Sequence, residues 1–429
     1  MSTLTLISQA APMVRNAPRV LAGHRRFRIL IGPLSSDPTE SVSCVNAAFV
    51  EGLKERYEFL LLDATRKHGT TRQSMLNVVN LFYFARQCVR WLFHLVVSRP
   101  QIVHYAISSG WAMEKGLVFM KLARLFGAKT LGHLHSGDFI DFWRSLPAWR
   151  RRFAIKEIRR LDGLIVLSNE WKKAILRDIV IAPAKLHVVN NPISKDFEDA
   201  ALQMPAERAQ NRILALGIMD RKKGILDLLE AAKLIQHRAE FHLEIAGPER
   251  DPGIVCTAKE FVERHSLSKK VQLRSAVWGL EKIETFRKCS ILVLPSHFEN
   301  FPLVVIEAAA AGMAIISTPV GAVPEFFENG ISALFVEPRH PDQIAGALLK
   351  LLQNPGERGR VAAAARHVFI KRLARSRIMD SLDRVYQNLL CLPNHPETDV
   401  DVSGVSRKSN LDPMVERSLF PTAQDRNLR

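Results

Sequence analysis

Short apolar runs recur along this chain, and most are separated by segments of helical character. The first series lies at residues 27–33, 59–63, 102–105, 130–135, 164–168 and 186–190. A second begins at 213–217 and continues through 241–247, 271–273, 291–294, 314–317 and 333–336. Runs without polar alternation suit strands covered on both faces, so strand alternating with helix predicts parallel, doubly wound sheets. At 429 residues the chain exceeds one compact core. The two series therefore read as two α/β domains, at 26–195 and 212–370. The polar stretch 196–211, which contains Pro205, reads as the linker. Residues 1–25 lack periodicity and read as a loose leader, residues 371–392 as a closing helix, and the polar stretch 393–429 as a disordered tail.

Charge is divided unevenly between the halves. Of the formal net charge of +17, residues 1–195 carry +16, so an anionic partner is expected at the first domain. Nucleic-acid binding would rest on charge alone, because no recognition motif accompanies it, and it is not expected. The five cysteines (Cys44, Cys88, Cys256, Cys289 and Cys391) are scattered without a C-x-x-C pair, which argues for reduced thiols in a cytoplasm. The N-terminus lacks a secretory pattern, and no run of about eighteen uncharged apolar residues occurs. A cytoplasmic chain, peripheral to the inner face of the plasma membrane, is expected.

Two stretches in the basic half suit a bilayer interface. Residues 139–160 combine Phe139, Phe142, Trp143 and Trp149 with Arg150, Arg151, Arg152, Lys156, Arg159 and Arg160, a mixture suited to anionic lipid. The alternative is a solvated helix with its aromatics turned inward. In residues 81–97, Arg86, Arg90 and His94 form a cationic stripe on a greasy helix, for which core packing is the first reading and membrane contact the second.

The densest chemistry lies in residues 294–325, LPSHFENFPLVVIEAAAAGMAIISTPVGAVPE. A strand ends at Pro295, and Pro302 stands where a helix would begin. From Val304 the helix is apolar except for Glu307, until Gly312 stops it. A carboxylate in such a helix requires a hydroxyl or a cation as partner, since burying it alone would cost several kcal/mol, on the order of other unpaired charges. Helix N-termini also favour anions.

Glu299 and Glu307, separated by seven residues, resemble the E-x7-E signature of retaining GT-B glycosyltransferases of glycosyltransferase family 4 (glycosyl transferases group 1). The resemblance extends diffusely over residues 26–390. It implies a GT-B fold of two Rossmann-like domains facing a cleft, with the closing helix crossing back to the first domain. It also implies a sugar donor carried on a nucleoside diphosphate, a UDP- or GDP-sugar, with no metal or other cofactor. By the same resemblance Glu307 would bind the ribose and Glu299 the donor sugar, with Asn300, Phe301, Leu303 and Val304 lining the nucleotide between them.

Further segments fit the same pattern. In GIMDRKKG, Gly217 and Lys223 occupy positions of the family's diphosphate-binding turn. Ile218 replaces its arginine, for which Arg221 or Lys222 could compensate. His135 in GHLHSGDF matches a histidine near the donor sugar, with His133 as a rival on the same side of the strand and Asp138 as an acceptor-orienting group. Gly32 ends the first strand where the family has a glycine-rich loop. Gly247 follows a strand near the nucleotide, Val277 lies where the chain passes the base, Asn191 lies in a turn, and Gly321 and Glu325 resemble the turn G-G-x-P-E. Retention in the family is ascribed to same-face attack, and no nucleophile is assigned. The function implied is transfer of a sugar to an acceptor hydroxyl, on a glycan or lipid-linked glycan of bacterial surface or exopolysaccharide synthesis. The alternative is a GT-B scaffold that binds nucleotide or glycan without turnover.

Overall fold

The computed structural model describes residues 26–35, 41–63, 78–179, 181–205 and 209–392. The leader 1–25, the tail 393–429 and part of the loop after the first strand lie outside these. The first sheet comprises β1 (Arg28–Leu34), β2 (Glu58–Asp63), β3 (Ile102–Ile107), β4 (Lys129–Leu134), β5 (Gly163–Val166) and β6 (Leu186–Val188). All are parallel, in the order β2-β1-β3-β4-β5-β6. The second comprises β7 (Arg212–Leu216), β8 (His242–Ala246), β9 (Val271–Arg274), β10 (Ile291–Leu294), β11 (Ala314–Ser317) and β12 (Leu334–Phe335), also parallel, in the order β12-β11-β10-β7-β8-β9. Every residue of β3, β5, β10 and β11 is buried, because helices cover both faces, and the strands accordingly lack alternation.

In the second sheet β7 pairs with β10, Ile213 beside Ile291 and Leu214 beside Leu292. From β7 the strands proceed outward to β8 and β9, and from β10 in the opposite direction to β11 and β12. Such a reversal opens a crevice at the carboxyl ends of the two central strands, where open α/β sheets bind their ligands. The turn Arg221–Lys223 after β7 and the residues 295–302 after β10 meet in that crevice.

Helix Leu303–Ala311 is buried all round apart from its first two residues, as its uniformly apolar sequence requires. It belongs to a core that also contains Leu292, Leu294, Ile315 and Phe327.

Two sequence expectations are corrected here. The stretch read as a linker contains the helix Lys195–Leu202, and Phe197, Ala201 and Met204 pack into the second domain's core, with Phe197 edge-on to Phe286 at 4.9 Å. Its apolar residues are few, but spacing by helical turns gathers them on one face. The stretch 139–160 also does not display its aromatics. Phe139 and Trp143 are buried in the first core, Phe142 packs against it, and only Trp149 is exposed. Its cations are largely engaged: Arg150 with Glu114 (2.7 Å), Arg144 with Asp178 (3.2 Å), and Arg151 with the carbonyls of Arg144 (2.7 Å) and Leu146 (3.1 Å).

Helix Val78–Phe93, continued by the π-turn His94–Ser98, behaves differently. Gln87, Trp91 and Leu95 face inward, while Phe84, Val89, Leu92, Phe93, Val96 and Val97 are exposed. The cationic stripe is partly spent on β2, where Arg86 and Arg90 both reach Asp63.

The chain ends its described part with helix Pro355–Val368, a π-turn at Phe369–Leu373 and helix Arg375–Cys391. That last helix packs on the first domain, sharing a core with Ile29, Ile31, Phe49 and Leu131 through Ile378, Leu382, Val385 and Tyr386. Tyr57 donates to Asp383 at 2.6 Å, and buried Arg375 reaches Glu51 at 3.0 Å.

Candidate active site

Asp220 shapes the first loop of the crevice. Its carboxylate accepts from the backbone N–H of Lys223 at 2.8 Å, closing a short 3-10 turn over Arg221–Lys223. Gly224 follows at φ +70°, in backbone contact with the loop after β10, so that a Cβ there would lie 2.2 Å from the Pro295 carbonyl oxygen. The two loops are also joined by the His297 N–H, which donates to the Lys222 carbonyl at 2.8 Å, and His297 Nε2 lies 2.6 Å from Asp227.

This arrangement brings Lys223 onto Glu299, Nζ to Oε1, at 2.5 Å. Ser296 donates to the same carboxylate oxygen at 2.9 Å, and Thr318 fixes the strand end by donating to the Ser296 carbonyl at 2.6 Å. A cation and a carboxylate thus share the mouth of the crevice beside a helix N-terminus, a setting for anions and hydroxyls together. Gly217 and Gly247 pack backbone to backbone; a Cβ on Gly247 would lie 1.7 Å from the Gly217 carbonyl oxygen.

The awkward carboxylate in the apolar helix finds a cation. Glu307 is 5% exposed, and Lys282 of helix Gly279–Lys288 reaches it at 2.5 Å. Lys282 was invisible to motif reading, for it lies in an ordinary amphipathic helix 25 residues upstream.

The first domain contributes His135, just beyond β4. The imidazole's Nε2 is sealed from water and has no hydrogen-bond partner among the described residues, and burial holds the ring neutral by lowering its pKa to about 4. His133, the rival in the sequence, is wholly buried and bonded to His104 at 3.1 Å, and among the described residues its Nε2 also has no partner.

Several contacts among the described residues join the domains around the crevice. Asn300 Nδ2 donates to the His135 carbonyl at 2.9 Å, while its Oδ1 is buried without a partner among the described residues. A Cβ at Gly137 would sit 3.0 Å from the Asn300 nitrogen, so the loop after β4 needs glycine to approach the two-glutamate turn. Glu325 accepts from Asn169 Nδ2 and from the Asn169 N–H, both at 2.7 Å, capping a first-domain helix from the second domain. Sequence reading missed Gly137 and this cap, although Glu325 was noted as part of a turn.

The other expected residues are distributed as follows. Leu303 packs in both the second-domain core and the interdomain core, and Val304 is half-buried beside it. Phe301 is buried and stacked on Phe326 at 4.9 Å, so its ring serves packing. Asn191 approaches the Phe301 carbonyl at 3.5 Å. Val277 is buried at the end of the loop after β9. Arg221 and Lys222 are exposed and Ile218 is half-buried; the Arg221 N–H donates to Asp251 at 2.9 Å. Gly32 lies against β2, where a Cβ would meet Leu62 Cβ at 2.7 Å, which gives it a packing reason of its own. Asp138 is exposed and accepts from Ser109 at 2.7 Å.

Two six-stranded parallel sheets facing one cleft define a GT-B glycosyltransferase fold. The architecture is similar to that of a glycosyltransferase from Rickettsia africae (TM-score 0.66, 18% identity, covering 86% of this chain and all of that one). It is also similar to HepE of Anabaena in complex with UDP and glucose (TM-score 0.63, 14% identity, 85% and 100%). Residues 197–368 match the family model of glycosyl transferases group 1, and residues 45–197 match that of glycosyltransferase family 4. The chain belongs to glycosyltransferase family 4, whose members are retaining. It is 28% identical over 224 residues to the MMP alpha-(1->4)-mannosyltransferase of Mycolicibacterium hassiacum, covering 50% of this chain and 52% of that protein. It is 25% identical over 274 residues to the glycogen synthase of Mycobacterium tuberculosis, covering 62% and 64%. The matched stretch thus spans between half and two thirds of these relatives.

Proposed function

We propose that the chain is a retaining glycosyltransferase that moves a sugar from a nucleoside diphosphate sugar to an acceptor hydroxyl. The observation that carries this is the convergence of Lys223, Glu299 and His135 on one cleft, held together by the Asn300 contact across the domains. Lys223 and the N-terminus of helix Leu303–Ala311 neutralise the diphosphate, Glu299 holds donor hydroxyls, and Glu307 binds the ribose. His135 and Asn300 offer unpartnered buried polar atoms to the sugar. Departure of the diphosphate builds charge where Lys223 stands, which is the electrostatic stabilisation such a transfer needs. The donor experiment is a thermal-shift panel of UDP-, GDP- and ADP-sugars. UDP-sugars are tried first because the structurally similar HepE binds UDP and glucose. The matching donor at a hundred times its Kd should stabilise by about 2.7 kcal/mol. A flat response across the panel, with no donor hydrolysis, would sink this reading.

A second reading, a scaffold that binds without turnover, is favoured by Ile218 in place of the arginine. Donor hydrolysis by the wild type that disappears in Glu299→Ala would exclude it.

The acceptor in this proposal is a lipid-linked glycan presented at the cytoplasmic face of an anionic membrane. Support comes from the basic first domain and from the exposed apolar side of helix Val78–Phe93 and the π-turn His94–Ser98 that continues it, where Val89, Leu92, Phe93, Val96 and Val97 are exposed. Among the described residues no helix is long and apolar enough to cross a membrane. The protein should pellet with vesicles containing anionic phospholipid and stay in solution with neutral ones, and Val96→Glu should weaken pelleting. Equal recovery in all supernatants would overturn the membrane part alone.

A further inference from the structure

Behind His135 runs a string of hydrogen-bonded side chains that the roles above leave unused. His104 of β3 is buried between two partners: its Nδ1 lies 2.7 Å from the Tyr386 hydroxyl, and its Nε2 lies 3.1 Å from His133 Nδ1. The His133 ring in turn lies against that of His135, with centroids 4.0 Å apart and planes at 36°. Phe49 flanks both inner histidines at about 6 Å, and Tyr57 meets Tyr386 edge-on at 5.3 Å. A continuous line therefore leads from the crossing helix Arg375–Cys391 through two strands to the histidine at the cleft.

The protons along this line run in one of two directions. Burial keeps the imidazoles neutral, pushing His104 down to about 3 and His133 well below its ordinary value. A neutral imidazole has one N–H and one lone pair, so each ring passes on the polarity that it receives. If Tyr386 donates to His104 Nδ1, then His104 holds its proton on Nε2 and donates to His133 Nδ1. His133 then carries its own proton on Nε2. Among the described residues the His133 Nε2–H then has no acceptor, and in the opposite polarity it is the Tyr386 O–H that has none.

We propose that Tyr386, His104 and His133 are positioning residues for His135, fixing the tautomers and ring orientations behind it only while the crossing helix is docked on the first domain. The proposal rests on the reading of His135 as the sugar-side residue of the cleft. Apolar side chains would fill the same space, but they would set no direction. A buried hydrogen-bonded string couples the orientations of its rings, and here it makes the geometry at the cleft depend on a helix that enters from the second domain.

The test is Tyr386→Phe in the full chain, which keeps the ring and removes the hydroxyl. Nitrogen-15 spectra of histidine-labelled wild type, without donor, should show a single tautomer at His104 and the same one at His133, both protons on Nε2 or both on Nδ1. In the variant the His104 tautomer should become mixed, and the ring signals of His133 and His135 should shift. Turnover of the donor should fall by about fivefold, on the order of one lost hydrogen bond, with the effect in kcat and with the donor KM little changed. If the variant does not fold, the wild-type spectrum decides alone: mixed or unlike tautomers at His104 and His133 overturn the proposal. Unchanged His133 and His135 signals in Tyr386→Phe overturn it as well. Undiminished turnover in His135→Ala would instead remove the underlying reading of the site, an outcome distinguishable from either.

Discussion

Lys223→Ala is expected to lower donor turnover by about a hundred- to a thousandfold, the loss that follows removal of one preorganised group aimed at developing charge. The structure explains why this lysine should matter most. Ile218 leaves the turn after β7 without its usual arginine, Arg221 and Lys222 are exposed, and Lys223 is the cation of the loop drawn into the crevice by the Asp220 cap. The loss should fall on kcat, since charge accumulates on the leaving diphosphate as the glycosidic bond breaks. Stability should fall too, by about 1 to 3 kcal/mol, because the Glu299 side chain is 12% exposed and loses its cation while keeping the Ser296 hydroxyl, so the Tm is read alongside as a folding control. Steady-state kinetics on the purified variant check it, and an unchanged kcat would show that Arg221 or Lys222 carries the diphosphate instead.

Glu307→Gln should weaken nucleoside diphosphate binding by roughly tenfold to a hundredfold, because a charge-assisted hydrogen bond contributes about 1.5 to 3 kcal/mol. In the donor-free protein the carboxylate is held by Lys282, which is itself 22% exposed and lies over the Phe197 ring at 5.4 Å. A ribose therefore competes with, or adds to, an existing ion pair instead of meeting a naked charge. Glutamine keeps the side chain's shape, so the helix should remain packed while the lysine loses its counter-charge. Isothermal titration with the matching nucleoside diphosphate measures the loss. Wild-type affinity in the variant would transfer the ribose role away from this position.

Much of the fold was legible because its signals are local. Each of the twelve strands lies where a short apolar run occurs, and the spacing of Glu299 and Glu307 around Pro302 placed a carboxylate on either side of a helix start. What was misread depended on which face of an element turned inward. In residues 139–160 the same aromatics and cations fit a wet interface or a packed helix equally well, and Glu114 and Asp178, at distant positions in the chain, decided for packing. In residues 195–204 the side chains of Phe197, Ala201 and Met204 were too few to register as a helix face, yet a neighbouring core was waiting for them.

The sequence by itself determined two parallel α/β domains and a cleft with paired glutamates, since strand periodicity, helix stops and short motifs are properties of adjacent residues. The tertiary structure alone decided the partners. Lys282 was chosen for Glu307, Asn169 for Glu325, and Tyr386 for His104 across 282 residues. Such pairings are set by how helices and sheets pack, and burial makes each of them stringent, because a polar group removed from water must find its partner wherever the fold brings one.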